Sequence, residues 1–447
     1  MAKIKLKFCN IAKSVGFLAL ITSSVSAATI SNDFVRLAKG VPGVIYSPPV
    51  QSDKSHIAIL VMHSDADYLN FSMCEEMALR GFSVLCANVH DPSAPLDDKL
   101  LDVHHAIEFL RKQPDIEKVV LMGHSGGGTL MSAYQNIAEN GPSVCQDSHK
   151  LVPCSAKLEG LPPADGLMLL DSNWGISAMM LFSIDPAVVD ENSGQELSPA
   201  LNLFNPKNGF QPEESDFPDG FISRFQKAQG ERNNRIVDSA LKRLKLIEQD
   251  KGLYKDNEPF IVPGAAQGFM NNKLFAQDTK LMSHTQKAWP LIHSDGSSTT
   301  QLIHSVRSPA NPVSYTDSYR EGTLVTTVKS FLANYAVRTT DTYHYDATHV
   351  IGIDWNSSYN TPIGNIGGVK APTLVMGMTG NWEYLASETI YNTSSAKDKS
   401  LAFVEGASHL FTTATDSEKY PGQFGDTLKL TYDYVAEWLT LPHRFIN

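Results

Sequence analysis

Apolar positions along the chain gather into short continuous runs set apart by amphipathic stretches. HIAILVM spans His56 to Met62, FSVLCANV follows Gly81, KVVLM covers Lys118 to Met122, and further runs lie at Gly166 to Leu170, Thr373 to Met376 and Leu401 to Val404. Unbroken runs of this length predict parallel strands covered on both faces, because a strand with one wet face alternates apolar and polar positions. The stretches between them carry the helical period. Phe71 to Arg80 predicts a helix stopped at Gly81, Leu101 to Leu110 a second and Gly127 to Asn136 a third,. Near the end, Asp426 can cap a helix whose Leu428, Tyr432, Val435 and Leu439 share one face,. This alternation predicts an α/β fold: a mostly parallel sheet, helices on both faces, and right-handed crossovers.

Between Ile176 and Asn365 the alternation stops, and loops rich in Pro, Asn and Ser surround a run in which Ile236, Ala240, Leu244 and Ile247 keep helical spacing. The pattern divides the chain into a core of residues 28–175 and 366–447 and an inserted cap of residues 176–365, mainly helical and irregular. Within the cap, Met179, Met180, Leu181 and Phe182 either line an apolar pocket or pack the cap onto the core.

The 447 residues carry a formal net charge of −11. A negative average field with no basic patch argues against nucleic acid and anionic membrane surfaces as partners. Lys3, Lys5 and Lys7 precede an apolar stretch, Val15 to Ile21, and the small-residue site Val25-Ser26-Ala27. This is the pattern of a signal peptide over residues 1–27, and it predicts a secreted or periplasmic protein. Thr22, Ser23 and Ser24 close the apolar stretch well short of the ~20 residues a spanning helix needs, so no stable membrane insertion is expected. Cleavage removes Cys9 and leaves Cys74, Cys86, Cys145 and Cys154. Cys145 and Cys154, nine positions apart in a loop-like segment, are expected to pair,. Cys74 and Cys86 flank a helix and a strand and fit equally well as buried thiols.

The chemistry concentrates after the third run. Gly123-His124-Ser125-Gly126-Gly127-Gly128 lies between an apolar strand and a helix, the context in which G-x-S-x-G forms a nucleophile elbow,. The turn is tight enough to require small residues two before and two after the serine. A serine hydroxyl needs an imidazole to take its proton. Beyond the last run comes Glu405-Gly406-Ala407-Ser408-His409-Leu410-Phe411, with a histidine in the loop before the final helix. His63 and His124 are expected to line the same pocket.

The strand order, the GHSGGG elbow and the GASHLF loop resemble the α/β-hydrolase superfamily of serine esterases and lipases, over the two core segments and not the cap. The resemblance implies Ser125 as nucleophile, His409 as general base, and an oxyanion hole built from the backbone N–H groups of Gly126 and Asp65. The chain departs from the family at His63-Ser64, where His-Gly is usual. A second departure concerns the acid: the loop after Thr373 to Met376, where an Asp is common, reads GMTGNWE. Asp171, at the end of the preceding strand, is the first candidate for the triad acid, followed by Glu383 and then Glu388.

These readings predict a serine hydrolase that cleaves carboxylic esters, small or polymeric, through an acyl-enzyme on Ser125. A peptidase or amidase of the same fold, and an inactive hydrolase-like binding protein, are the competing readings. No cofactor is expected and no metal: His104-His105 lacks helical ligand spacing, and no H-E-x-x-H string occurs.

Overall fold

The computed structural model describes residues 29–265, 273–310 and 322–446. The expected signal peptide lies outside them. The chain opens with β1 (Ser31–Arg36) and β2 (Pro42–Ser47), followed by β3 (Ile57–His63), α1 (Ser72–Leu79), β4 (Ser83–Asn88), α2 (Leu96–Arg111), β5 (Lys118–His124), α3 (Gly127–Asn140) and β6 (Gly166–Leu170). Next come α4 (Ile176–Ser183), α5 (Asp219–Glu248), β7 (Pro259–Val262), α6 (Leu274–Gln277), β8 (His284–Ile292), β9 (Ser298–His304), β10 (Leu324–Thr327), α7 (Val328–Asn334), β11 (Arg338–Tyr345) and β12 (Val350–Asp354). The chain ends with α8 (Pro362–Ile366), β13 (Thr373–Met378), α9 (Tyr384–Thr393), β14 (Lys399–Val404) and α10 (Thr427–Leu439).

Ten strands form the central sheet in the order β1-β2-β4-β3-β5-β6-β13-β14-β8-β9. From β4 through β8 all neighbours are parallel, while β1, β2 and β9 are antiparallel to their neighbours. Every apolar run named from sequence is one of the parallel strands. Their side chains feed two cores: Ala58, Leu60 and Met62 of β3 face the α2 and α3 side, and Ile57, Ile59 and Val61 face α1 and α10. A strand buried on both faces in this way has no room for polar alternation, which is why the runs are continuous.

Three features differ from the expectation. The strands β1 and β2 were not legible, because β1 is largely exposed and carries no apolar alternation. The segment 176–365 does not stay apart from the sheet, since β8 pairs with β14 and β9 closes that edge. That segment also contains more strand than expected, including the pairs β7–β10 and β11–β12 beside the 30-residue α5. Both cysteine pairs are joined: Cys145 to Cys154, and Cys74 of α1 to Cys86 of β4 with Cα atoms 6.2 Å apart. Among the described residues no helix is long and apolar enough to cross a membrane.

The sheet changes direction between β3 and β5. The chain runs from β3 outward to β4 and then returns to place β5 on the other side of β3, so the loops leaving β3 and β5 diverge and open a crevice at their C-terminal ends,. His63-Ser64-Asp65 and His124-Ser125-Gly126 occupy the two sides of that crevice.

Candidate active site

Ser125 sits where β5 becomes α3, with φ at +52°, a left-handed value that a non-glycine residue holds only when its surroundings impose it,. The surroundings are visible in the flanking glycines. A Cβ on Gly123 would lie 2.5 Å from the Gly127 carbonyl oxygen, and one on Gly127 would lie 2.6 Å from that of Met62. Both positions therefore admit only glycine. Ser125 N–H donates to the Asp171 carbonyl at 3.3 Å, which ties the elbow to the end of β6. The Ser125 side chain is half-buried, and among the described residues its hydroxyl makes no hydrogen bond.

Asp171 is fully buried and also left-handed, with φ at +46°. Its Oδ1 accepts the Met378 N–H at 2.8 Å, and its Oδ2 accepts the Asn381 side-chain amide at 2.8 Å and His409 Nδ1 at 2.6 Å. Glu383 also reaches this imidazole, with Oε2 2.9 Å from His409 Nδ1. Burial pulls the His409 imidazole down, but the two carboxylates outweigh it and push it up to about 10. Burial raises the Asp171 carboxyl in spite of its bond to His409. With Nδ1 committed to carboxylates, Nε2 is the nitrogen left for other chemistry.

His124 fixes the loop that carries His409. Its Nε2–H donates to the His409 carbonyl at 2.6 Å, and its Nδ1 accepts the Tyr68 hydroxyl at 2.5 Å. A carbonyl can only accept, so the tautomer is set. Burial, followed by the neighbouring His409, holds His124 well below the ordinary histidine value and therefore neutral. The rings of His124 and His409 lie 4.4 Å apart.

The two expected oxyanion donors both lie against His63, whose neutral ring can accept at only one nitrogen,. Gly126 N–H donates to its Nε2 at 3.1 Å, while Asp65 N–H lies 3.2 Å and the Asp65 carboxylate 2.8 Å from its Nδ1. The donor at Gly126 is thus already engaged, a departure from an open hole. Nothing in the sequence signalled this, because the link needs the β3 and β5 loops side by side.

Glu388 has a different task. Its carboxylate accepts the backbone N–H groups of Gln286 and Lys287 and the Trp289 indole at 2.7 to 3.0 Å, which clamps α9 to β8. Every residue of α4 is buried, and Phe182 packs edge-on against Trp174, Phe275 and Tyr345. Of the two roles left open for this stretch, Phe182 follows the packing one. Asn381 was missed from sequence. It donates to Asp171 through Nδ2 and accepts the Glu383 N–H through Oδ1 at 2.6 Å, joining the two acidic positions.

Two groups of possible metal ligands come together among the described residues, His124 with Asp171 and His409, and His104 with His105 and Glu108. In the first, both nitrogens of His124 are already bonded and Nδ1 of His409 faces Asp171. In the second, the histidines are sequence neighbours on α2, Glu108 Oε2 stands 3.8 and 3.9 Å from their nitrogens, and no fourth ligand joins them.

This sheet order, with the serine elbow after β5 and a carboxylate-bound histidine after β14, is the α/β-hydrolase fold. No protein-family model matches the chain, and no curated protein matches it in sequence. Among solved structures, a hypothetical protein from Pseudomonas aeruginosa is similar at 12% identity over 96% of this chain and 98% of that one, with a TM-score of 0.38. Est1E from Butyrivibrio proteoclasticus is similar at 11% identity over 91% and 97%, with a TM-score of 0.37. Esterase B from Lactobacillus rhamnosis is similar at 17% identity over 34% and 50%, with a TM-score of 0.27.

Proposed function

We propose that the protein is an exported serine hydrolase that cleaves carboxylic ester bonds. The observation that carries this reading is the contact at 2.6 Å between buried Asp171 and half-buried His409, beside a serine held in a left-handed elbow. In this reading the neutral His409 takes the Ser125 proton at Nε2 as the hydroxyl attacks the ester carbonyl. Asp171 holds the Nδ1–H tautomer and stabilises the imidazolium that forms. The protonated Nε2 then passes its proton to the departing alcohol, and water, activated the same way, releases the acid from the acyl-enzyme. The tetrahedral oxygen takes the Gly126 N–H from His63 and draws on the backbone of the Asp65 loop, at about 3 kcal/mol for each donor. The signal-peptide pattern and two disulfides support export,.

A second reading, a hydrolase fold kept for binding, draws on the engaged Gly126 N–H and the unbonded Ser125 hydroxyl. Treatment with a fluorophosphonate followed by mass spectrometry separates the two. Labelling at Ser125, absent in Ser125→Ala, with turnover of short nitrophenyl esters, supports the enzyme. A folded protein that gains no adduct over pH 6 to 10 supports the binding protein. Parallel trials with nitroanilides test the amidase alternative.

A further inference from the structure

Superfamily members carry the triad acid either after the strand equivalent to β13 or after the one equivalent to β6. This chain has a buried carboxylate at each place, and both reach the same nitrogen. We infer that Glu383 is a second positioning carboxylate for His409, acting on the Nδ1 that Asp171 already holds. The inference deepens the proposed function and rests on it.

The two acids act differently. A ring N–H lies in the plane of the imidazole and points one way, and here it points at Asp171 Oδ2. Glu383 Oε2, 2.9 Å from Nδ1, is buried without a hydrogen bond of its own. A buried carboxylate oxygen without a donor is costly unless a charge faces it. The charge nearest to it is the imidazolium of His409, and the buried Lys273 also interacts with Glu383. Glu383 therefore works through its field, and favours the protonated imidazole most strongly.

Its position is built rather than incidental. Asn381 spans from the Asp171 carboxylate to the Glu383 N–H, so one side chain ties the first acid to the backbone that carries the second. Glu383 itself is buried, and the neighbouring Trp382 packs edge-on against Phe275 at 5.4 Å between ring centroids. The groups facing His409 come from three elements: Asp171 from the end of β6, Glu383 from the start of α9 and His124 from the end of β5; Lys273, before α6, interacts with Glu383. His124 is neutral, so the two acids dominate the field at the imidazole.

The consequence is a base that releases its proton late. Removing the Glu383 charge frees His409 as a base at lower pH, while Asp171 keeps the tautomer. Removing the Asp171 charge leaves Glu383 as the only carboxylate for Nδ1–H, so some activity survives, and removing both abolishes it.

The test follows the His409 imidazole by NMR in the wild type and in Glu383→Gln and Glu383→Asp, with His409→Phe for assignment, alongside pH profiles of kcat/KM on a nitrophenyl ester. In Glu383→Gln the titration midpoint and the acidic limb are expected to fall together by about one to three pH units. Glu383→Asp should recover part of the difference, and Asp171→Asn should keep more activity than the double variant. An unchanged midpoint in folded Glu383→Gln, or equal activity in Asp171→Asn and the double variant, overturns the inference. The NMR midpoint does not require turnover. A protein that never labels at Ser125 but shows the shift therefore refutes the enzyme reading and leaves the carboxylate pair intact.

Discussion

His124 donates its Nε2–H to the backbone carbonyl of His409, 285 residues away in sequence, at 2.6 Å. The residue before the expected nucleophile thus anchors the loop of the expected base. His124→Phe keeps the ring volume and removes the donor, leaving a buried carbonyl unpaired. We expect a stability loss of about 1 to 3 kcal/mol by denaturant titration. A fall in kcat of about 10- to 100-fold should accompany it with little change in KM, because misplacing the base affects the reacting geometry more than binding.

The elbow permits no side chain at Gly123. In Gly123→Ala the new methyl would meet the Gly127 carbonyl at 2.5 Å, a contact that only movement of the turn can relieve. The expected result is a destabilisation of about 3 kcal/mol or more in thermal melts, and loss of fluorophosphonate labelling even in protein that remains folded.

The pH dependence should be alkaline. With His409 pushed up to about 10 by Glu383 and Asp171, the neutral base grows as pH rises through that region, so kcat/KM should climb well beyond pH 7 instead of levelling near the usual histidine value,. Stability runs the opposite way. The folded-state value lies above that of an unfolded histidine, so the favourable pairing is complete below about pH 6.5 and is lost as pH rises through about 10,. Denaturation midpoints at pH 6, 8 and 10 check the sign.

Glu388→Ala removes the acceptor for two backbone amides and one indole that hold β8 to α9. We expect a loss of about 2 to 4 kcal/mol, since three donors lose their partner in a partly buried setting. Ser125 labelling should persist at temperatures where the variant is folded. Loss of labelling in the folded variant would return Glu388 to the list of triad acids.

The Cys145–Cys154 link closes a loop of nine positions. Replacing both residues by Ser should cost about 2 to 3 kcal/mol, mostly through the freedom regained by the unfolded chain. Thermal melts of the variant with and without reductant check this, because a reductant should then act only through Cys74–Cys86.

The parallel strands were legible because each is buried on both faces, and burial of that kind leaves an unbroken apolar run. Ser125 was legible because its turn admits only glycine at two fixed positions, which forces a motif. The strands β1, β8 and β9 left no such trace: β1 and β9, at the two edges, are mostly exposed and pair only with their sequence neighbours β2 and β8, while β8 is half exposed and joins the sheet by docking on β14, far away in sequence. The same holds for the boundary expected at residue 176, which the sheet crosses when β8 docks on β14.

Which carboxylates face His409 is the clearest case of a relationship set by the tertiary structure. Asp171, Glu383 and Glu388 are equivalent as letters, each a carboxylate close to the end of a strand or the start of a helix. Folding turns Glu388 toward β8 and brings Asp171 and Glu383 to one nitrogen of His409. The sequence by itself determined the alternation of strand and helix, the elbow and the chain order of serine and histidine, because local sterics and burial write those into neighbouring residues. Only the tertiary structure decided which carboxylates face the imidazole and that His63 engages the Gly126 amide. Those relationships depend on distances between loops that the chain separates by tens to hundreds of residues, and no local pattern encodes them.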